Sequence, residues 1–110
     1  MPIANCIVSP DCCSAVKESL SFLWARESGK SEEHMTINVI KSHQQFGHHY
    51  PVMVNLLLPA AWSDENVSCL QTGLAQALSI YFCLPVSRIH IVTLMVQSGH
   101  VVENGHEIRW

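Results

Sequence analysis

The chain has 110 residues, of which 48% are hydrophobic and 14% charged, and its formal net charge is −3. Its six basic residues are scattered, whereas phosphate neutralisation needs clustered Lys and Arg, so nucleic acid is not an expected partner. No apolar run reaches the ~18 residues of a membrane span, and no basic segment leads into a long apolar stretch, so neither a membrane partner nor a secretory signal is expected.

Residues 3–8 (Ile-Ala-Asn-Cys-Ile-Val) read as a strand. Ser9 is placed to cap a helix, with Pro10 in the first helical position, where its missing N–H costs nothing. Val16, Leu20 and Leu23 recur at helical spacing, and Gly29 supplies the stop. Residues 34–41 form the second predicted strand, with Met35, Ile37 and Val39 on one face. Residues 42–50 are a polar, His-rich loop, ended by Pro51. Residues 52–58 (Val-Met-Val-Asn-Leu-Leu-Leu) are a nearly continuous apolar strand. Ser63 opens a second helix with Asp64 and Glu65 in its first turn, where the dipole favours negative charge. Val67, Leu70, Leu74, Leu78 and Tyr81 give that helix an apolar stripe. Pro85 follows its end, and Ile89–Val96 is the fourth strand. Gly99 and Asn104-Gly105 mark turns, and residues 106–110 read as a short last strand.

The order strand, helix, strand thus occurs twice, in residues 1–50 and again in 51–110, within one expected domain. The fold class is α/β: two consecutive βαβ units forming a four-stranded sheet with two helices on one face. Strand 52–58 is apolar on both sides, which calls for burial on both faces, and two helices cover only one. An obligate oligomer is therefore expected. A ferredoxin-like arrangement has the same element order with different strand adjacency, and order alone does not separate the two.

Met1-Pro2 carries the most specific chemistry. If Met1 is trimmed, the Pro2 nitrogen becomes a secondary amine at the head of a strand, able to act as a base or nucleophile. An internal proline nitrogen is an amide and can do neither. Five cysteines, an odd count without CxxC spacing, read as thiols of a reducing, cytoplasmic compartment. Cys12, read as lying at a helix N-terminus, should have a lowered thiol pKa. His34, His43, His48 and His49 lack a metal-ligand spacing, and no metal is expected.

Several segments, in order and with suitable spacing, resemble the tautomerase superfamily, which includes 4-oxalocrotonate tautomerase and macrophage migration inhibitory factor. They are Met1-Pro2-Ile3-Ala4, Ser28-Gly29-Lys30 with Glu32-Glu33-His34-Met35-Thr36-Ile37-Asn38-Val39, and Phe46-Gly47. Trp62-Ser63-Asp64-Glu65-Asn66, Pro85-Val86-Ser87-Arg88-Ile89-His90-Ile91 and Gly99-His100 complete the set. The resemblance covers nearly the whole chain. It implies a homotrimer of tautomerase fold and a cofactor-free reaction on a small anionic keto or enol acid, with Pro2 as catalytic base. Lys30 would stand at the pocket mouth of a neighbouring subunit and hold the substrate anion. His90 occupies the last-strand position where relatives carry arginine or tyrosine. It would bind substrate, or be an interface histidine. Arg88 is a further substrate-binding candidate, or a surface residue, and Phe46 a candidate apolar wall of the pocket. Cys12 and Trp62 stand where short relatives carry an arginine that grips a carboxylate. That difference favours an alternative, a non-catalytic trimeric binding protein that keeps the fold.

Overall fold

Ala4, Cys6 and Val8 of β1 (Ile3–Val8) are fully buried, while Ile3, Asn5 and Ile7 between them are not. That alternation is the period-2 signature of a sheet packed on one face. The computed structural model describes residues 1–110, and the remaining elements follow the two-unit order. They are α1 (Leu20–Ser28), β2 (Thr36–Lys41), β3 (Val52–Pro59), α2 (Asp64–Phe82), β4 (Ile89–Val96), β5 (Val101–Glu103) and β6 (His106–Ile108). The main sheet has the order β2-β1-β3-β4, and β5 and β6 form a separate hairpin. β1 pairs parallel with β2, β3 pairs parallel with β4, and the two units meet through an antiparallel β1–β3 ladder. The strands of each unit are thus direct neighbours, which excludes the split arrangement of a ferredoxin-like fold. No helix is long and apolar enough to cross a membrane.

Both helices pack on the face that carries Ala4, Cys6, Val8, Val54 and Leu56. α1 contributes Leu20, Leu23 and Trp24, and α2 contributes Leu70, Leu74, Ala77 and Leu78. The indole N–H of fully buried Trp24 donates to the carbonyl of Leu70 at 3.0 Å, tying the helices together. Ser63 caps α2 by accepting from the Asn66 amide at 3.2 Å, as its sequence position predicts. Burial in this core pushes the Cys6 thiol up to about 12, so it stays neutral.

The opposite face of the sheet has no helix. In register across the strands it carries Ile40, Ile7 and Met53 in one row and Asn38, Asn5 and Asn55 in the next. Asn38 donates its side-chain amide to Asn5 at 2.8 Å. Ile7, Ile40, Val92 and Leu94 are exposed.

The structure departs from the sequence reading in several places, including β3, which runs on to Pro59, and the last strand, which stops at Ile108. α1 starts at Leu20 under a Ser19 cap, not after Ser9. Ser9 and Pro10 instead open a β-turn closed by Cys12 N–H to Ser9 O at 3.0 Å, with the Ser9 hydroxyl on Asp11. Proline favours the second position of such a turn as much as the first turn of a helix, so the same residues served both readings. Residues 32–34, whose last was placed in the second strand, form a 3₁₀ turn, and β2 starts at Thr36. The last strand has a partner, because Val101–Glu103 folds back on His106–Ile108.

α1 and α2 cross so closely that a Cβ on Gly73 would lie 2.7 Å from the Ser28 backbone. Gly73→Ala should therefore destabilise the protein by about 1–3 kcal/mol through overpacking, outweighing the ~1 kcal/mol by which alanine favours a helix. A lowered urea midpoint at unchanged slope is the expected result, and a raised midpoint would contradict the close crossing.

Candidate active site

The antiparallel β1–β3 ladder sets Ile3 opposite Leu57, so the head of β1 lies against the tail of β3 and the start of α2. Pro2 is buried there. Its carbonyl accepts the Thr36 amide at 3.0 Å, which fixes it to β2. Two clefts open at Met1 and Ile3, the neighbours of Pro2, and Pro2 itself lines neither. One, of about 240 Å³, is lined by Met1, Pro59, Trp62, Val101, Ile108 and Trp110, with Ala61 and Glu103. The other, of about 380 Å³, is lined by Met1, Ile3, His34, Thr36 and Glu103. Met1 and Glu103 belong to both. Burial holds the Met1 α-amine below its ordinary value, and the Glu103 carboxylate partly opposes this by favouring the cation.

Lys30 stands at the same end of the sheet. It follows Gly29, whose left-handed backbone (φ 72°) ends α1, and its ammonium donates to the Asn66 side chain at 2.5 Å. It lines neither cleft. Trp62 packs half-buried against the core and also walls the smaller cleft.

The other site residues suggested by the sequence lie elsewhere. β4 is in register with β3 so that His90 faces Met53, which faces Ile7 on β1. Ile7 is five steps along the strand from Pro2, about 17 Å at the rise of a strand. His90 sits on the helix-free face, stacked on Tyr50 with ring centres 4.6 Å apart, and Tyr50 in turn meets His48 at 4.7 Å. Arg88 and Phe46 line a third cavity, of about 600 Å³, at this far end. One protomer therefore brings Pro2 and Lys30 to one end and Phe46, Arg88 and His90 to the other. Cys12 is a correction: it lies in the turn after β1, not at a helix N-terminus. Burial and the neighbouring Asp11 charge push its thiol up. No three His, Cys, Asp or Glu side chains are grouped so as to hold a metal ion.

Glu103 and the hairpin walls escaped the sequence reading. The signal was present: Asn104-Gly105 between Val-Val-Glu and His-Glu-Ile is a two-residue hairpin turn, and both turn residues have positive φ (53° and 77°). Only one of its two strands was assigned from sequence.

No protein-family model and no curated protein matches the sequence. Solved structures do match the fold. A wild-type fused 4-OT, described as a symmetric trimer, superposes with a TM-score of 0.76 at 17% identity, covering 96% of this chain and 94% of that one. The chain therefore shares the fold of fused 4-OT. N1, a member of the cis-3-chloroacrylic acid dehalogenase family, matches with a TM-score of 0.69 at 9% identity, over 96% of this chain and 82% of its own. Macrophage migration inhibitory factor from Oncomelania hupensis gives 0.66 at 13%, over 98% and 83%.

In protein that retains Met1, the α-amine should titrate below the ordinary value of about 8. Glu103 raises that pKa, so Glu103→Gln should lower it further. The pH dependence of selective α-amine acylation reads both shifts. An unchanged midpoint in the variant would mean that Glu103 does not face the amine.

Proposed function

We propose that this protein is a cofactor-free tautomerase of small anionic keto or enol acids, working as a homotrimer, with Pro2 as general base once Met1 is removed. The observation that carries the reading is the seat of Pro2. It is buried at the head of β1 in a tautomerase fold, beside a cleft walled by Trp62, Val101, Ile108 and Trp110. Removing Met1, which lines both clefts, would free the Pro2 nitrogen. Burial there already depresses the Met1 amine, and the same desolvation would favour a neutral secondary amine on Pro2. In ketonisation that nitrogen takes the enol hydroxyl proton, and a proton passes from the ammonium to the neighbouring carbon. The negative charge on oxygen needs a cation or donor. Lys30, oriented by Asn66, is the candidate; it lies at the Pro2 end of its own protomer, where the resemblance implied a neighbouring subunit.

His90 can reach Pro2 only from another copy, because the two lie at opposite ends of one sheet. It sits on the helix-free face, which is the face left for a neighbouring copy to cover, and the fused 4-OT neighbours are trimers. Arg88 and Phe46 instead line the far cavity with Phe82 and Leu84 of the helix layer, and they have no part in this reading.

One observation favours a second reading, a trimeric binding protein without catalysis. No Lys or Arg lines either cleft beside Pro2. Intact mass together with phenylpyruvate ketonisation separates the two. Protein without Met1 should be active, and Pro2→Ala should lower kcat/KM by about 10²- to 10⁴-fold, the usual contribution of a general base. The kcat/KM–pH profile should show an ascending limb, since only the neutral amine accepts a proton. Protein trimmed to Pro2 that turns over no enol acid, or a Pro2→Ala variant as active as the parent, would select the second reading.

A further inference from the structure

The two helices are unequal. α2 runs for 19 residues and α1 for nine, because residues 9–19 are not helical. The end of α2 is consequently not faced by a helix. Phe82 and Leu84 instead form part of the wall of the 600 Å³ cavity, opposite the turn after β1 and the His-rich loop before β3. The volume falls in the range of pockets for small organic molecules, roughly 300–1,000 Å³. It exceeds either cleft beside Pro2.

The walls are fixed by hydrogen bonds. Ser9 N–H donates to Pro51 O at 2.8 Å, and Ser42 N–H to Val8 O at 2.8 Å. The Lys41 ammonium holds the carbonyls of Pro10 (3.2 Å) and Cys12. Tyr50 N–H is held by the Gln45 side chain at 2.8 Å. Ala15 N–H joins the turn segment to Tyr81 O at 2.7 Å.

The cavity is lined by one acid and one guanidinium, and the two are not paired with each other. Asp11 is its one acid; it receives the Ser9 hydroxyl and lies within the field of Lys41. Arg88 has no partner: the ion pairs of the chain are Arg26–Glu27 and Arg109–Glu107. A free guanidinium presents a planar fork that matches a carboxylate. Around it stand Phe46, which is 84% exposed, Tyr50 and Phe82. The helix end at this cavity is the C-terminus of α2, and its dipole disfavours a multiply charged phosphate. A single negative charge kept at Arg88, with the apolar body directed toward Phe82 and Leu84, avoids that cost.

We propose that this cavity is a second binding site, distinct from the Pro2 clefts, for a monoanionic aryl carboxylic acid, with its carboxylate on Arg88 and its ring among Phe46, Tyr50 and Phe82. The site needs no chemistry at Pro2. It also accounts for Phe46 and Arg88, which the tautomerase reading leaves unused.

Amide-detected NMR titration of the full chain with 3-phenylpropionate and indole-3-acetate tests it, with 3-phenylpropionamide as the neutral control. Saturable shifts should fall in residues 9, 11–13 and 42–50, since Pro10 and Pro51 have no amide proton. Arg88→Gln, and loss of the probe's charge in the amide, should each weaken binding at least about tenfold, or 1.4 kcal/mol. Phe46→Ala should weaken it as well, and the spectra themselves verify that each variant is folded. Shifts confined to Ile3, Trp62 and the β5–β6 hairpin would locate the acid at Pro2 and overturn the proposal. So would equal binding of acid and amide, unaltered binding by Arg88→Gln, or no saturation at millimolar probe. Activity at Pro2 is a separate readout, so either proposal can fail without the other.

Discussion

Antiparallel pairing of β1 with β3 joins the two parallel units, and this one ladder decides what meets what. It runs the head of β1 against the tail of β3. Pro2 therefore lies beside the loop that leads into α2, and the start of α2 is next to the end of α1. Because β4 runs parallel to β3, its tail also reaches this end and delivers the β5–β6 hairpin there. Pairing β1 and β3 in parallel would send the loop before α2 and the hairpin to the other end of the sheet. The buried row Ala4, Cys6, Val54 and Leu56 makes the register costly to change, since a one-residue slip would turn it to the helix-free face.

Elements with strong periodic patterns were legible in the sequence. β4 was placed at its observed bounds, and α2 at its observed start, because Ser63 and two acids precede an apolar stripe. The start of α1 was not legible. Ser9-Pro10 suits a helix start and a β-turn equally; the structure adopts the turn, and Ala15 N–H then bonds to the end of α2 instead of continuing a helix. The 3₁₀ turn at residues 32–34 was hidden for a related reason, since three residues are too short to show a period. One-sided helix cover follows from two consecutive βαβ units, and the exposed Ile7, Ile40 and Val92 on the other face agree with it.

The candidate site was legible in kind and only partly in place. Residue types flagged Pro2, Lys30, His90, Arg88 and Phe46, but a linear sequence does not say which end of a sheet a side chain occupies. That depends on strand direction and on the loops. Glu103 was missed because its neighbourhood to the amine arises from the hairpin folding back, a contact between the two ends of the chain. The family resemblance supplied roles, and the topology separated them into two groups.

The helix-free face has a final consequence. Its rows contain apolar residues, three asparagines, Thr36 and His90, with no Asp, Glu, Lys or Arg. Such a surface on a sheet invites promiscuous sticking, and charged gatekeepers are the usual defence. In the proposed homotrimer the defence is occupancy. A freshly made copy would then be vulnerable until its neighbours arrive, and its lifetime would rise with the concentration of its own kind.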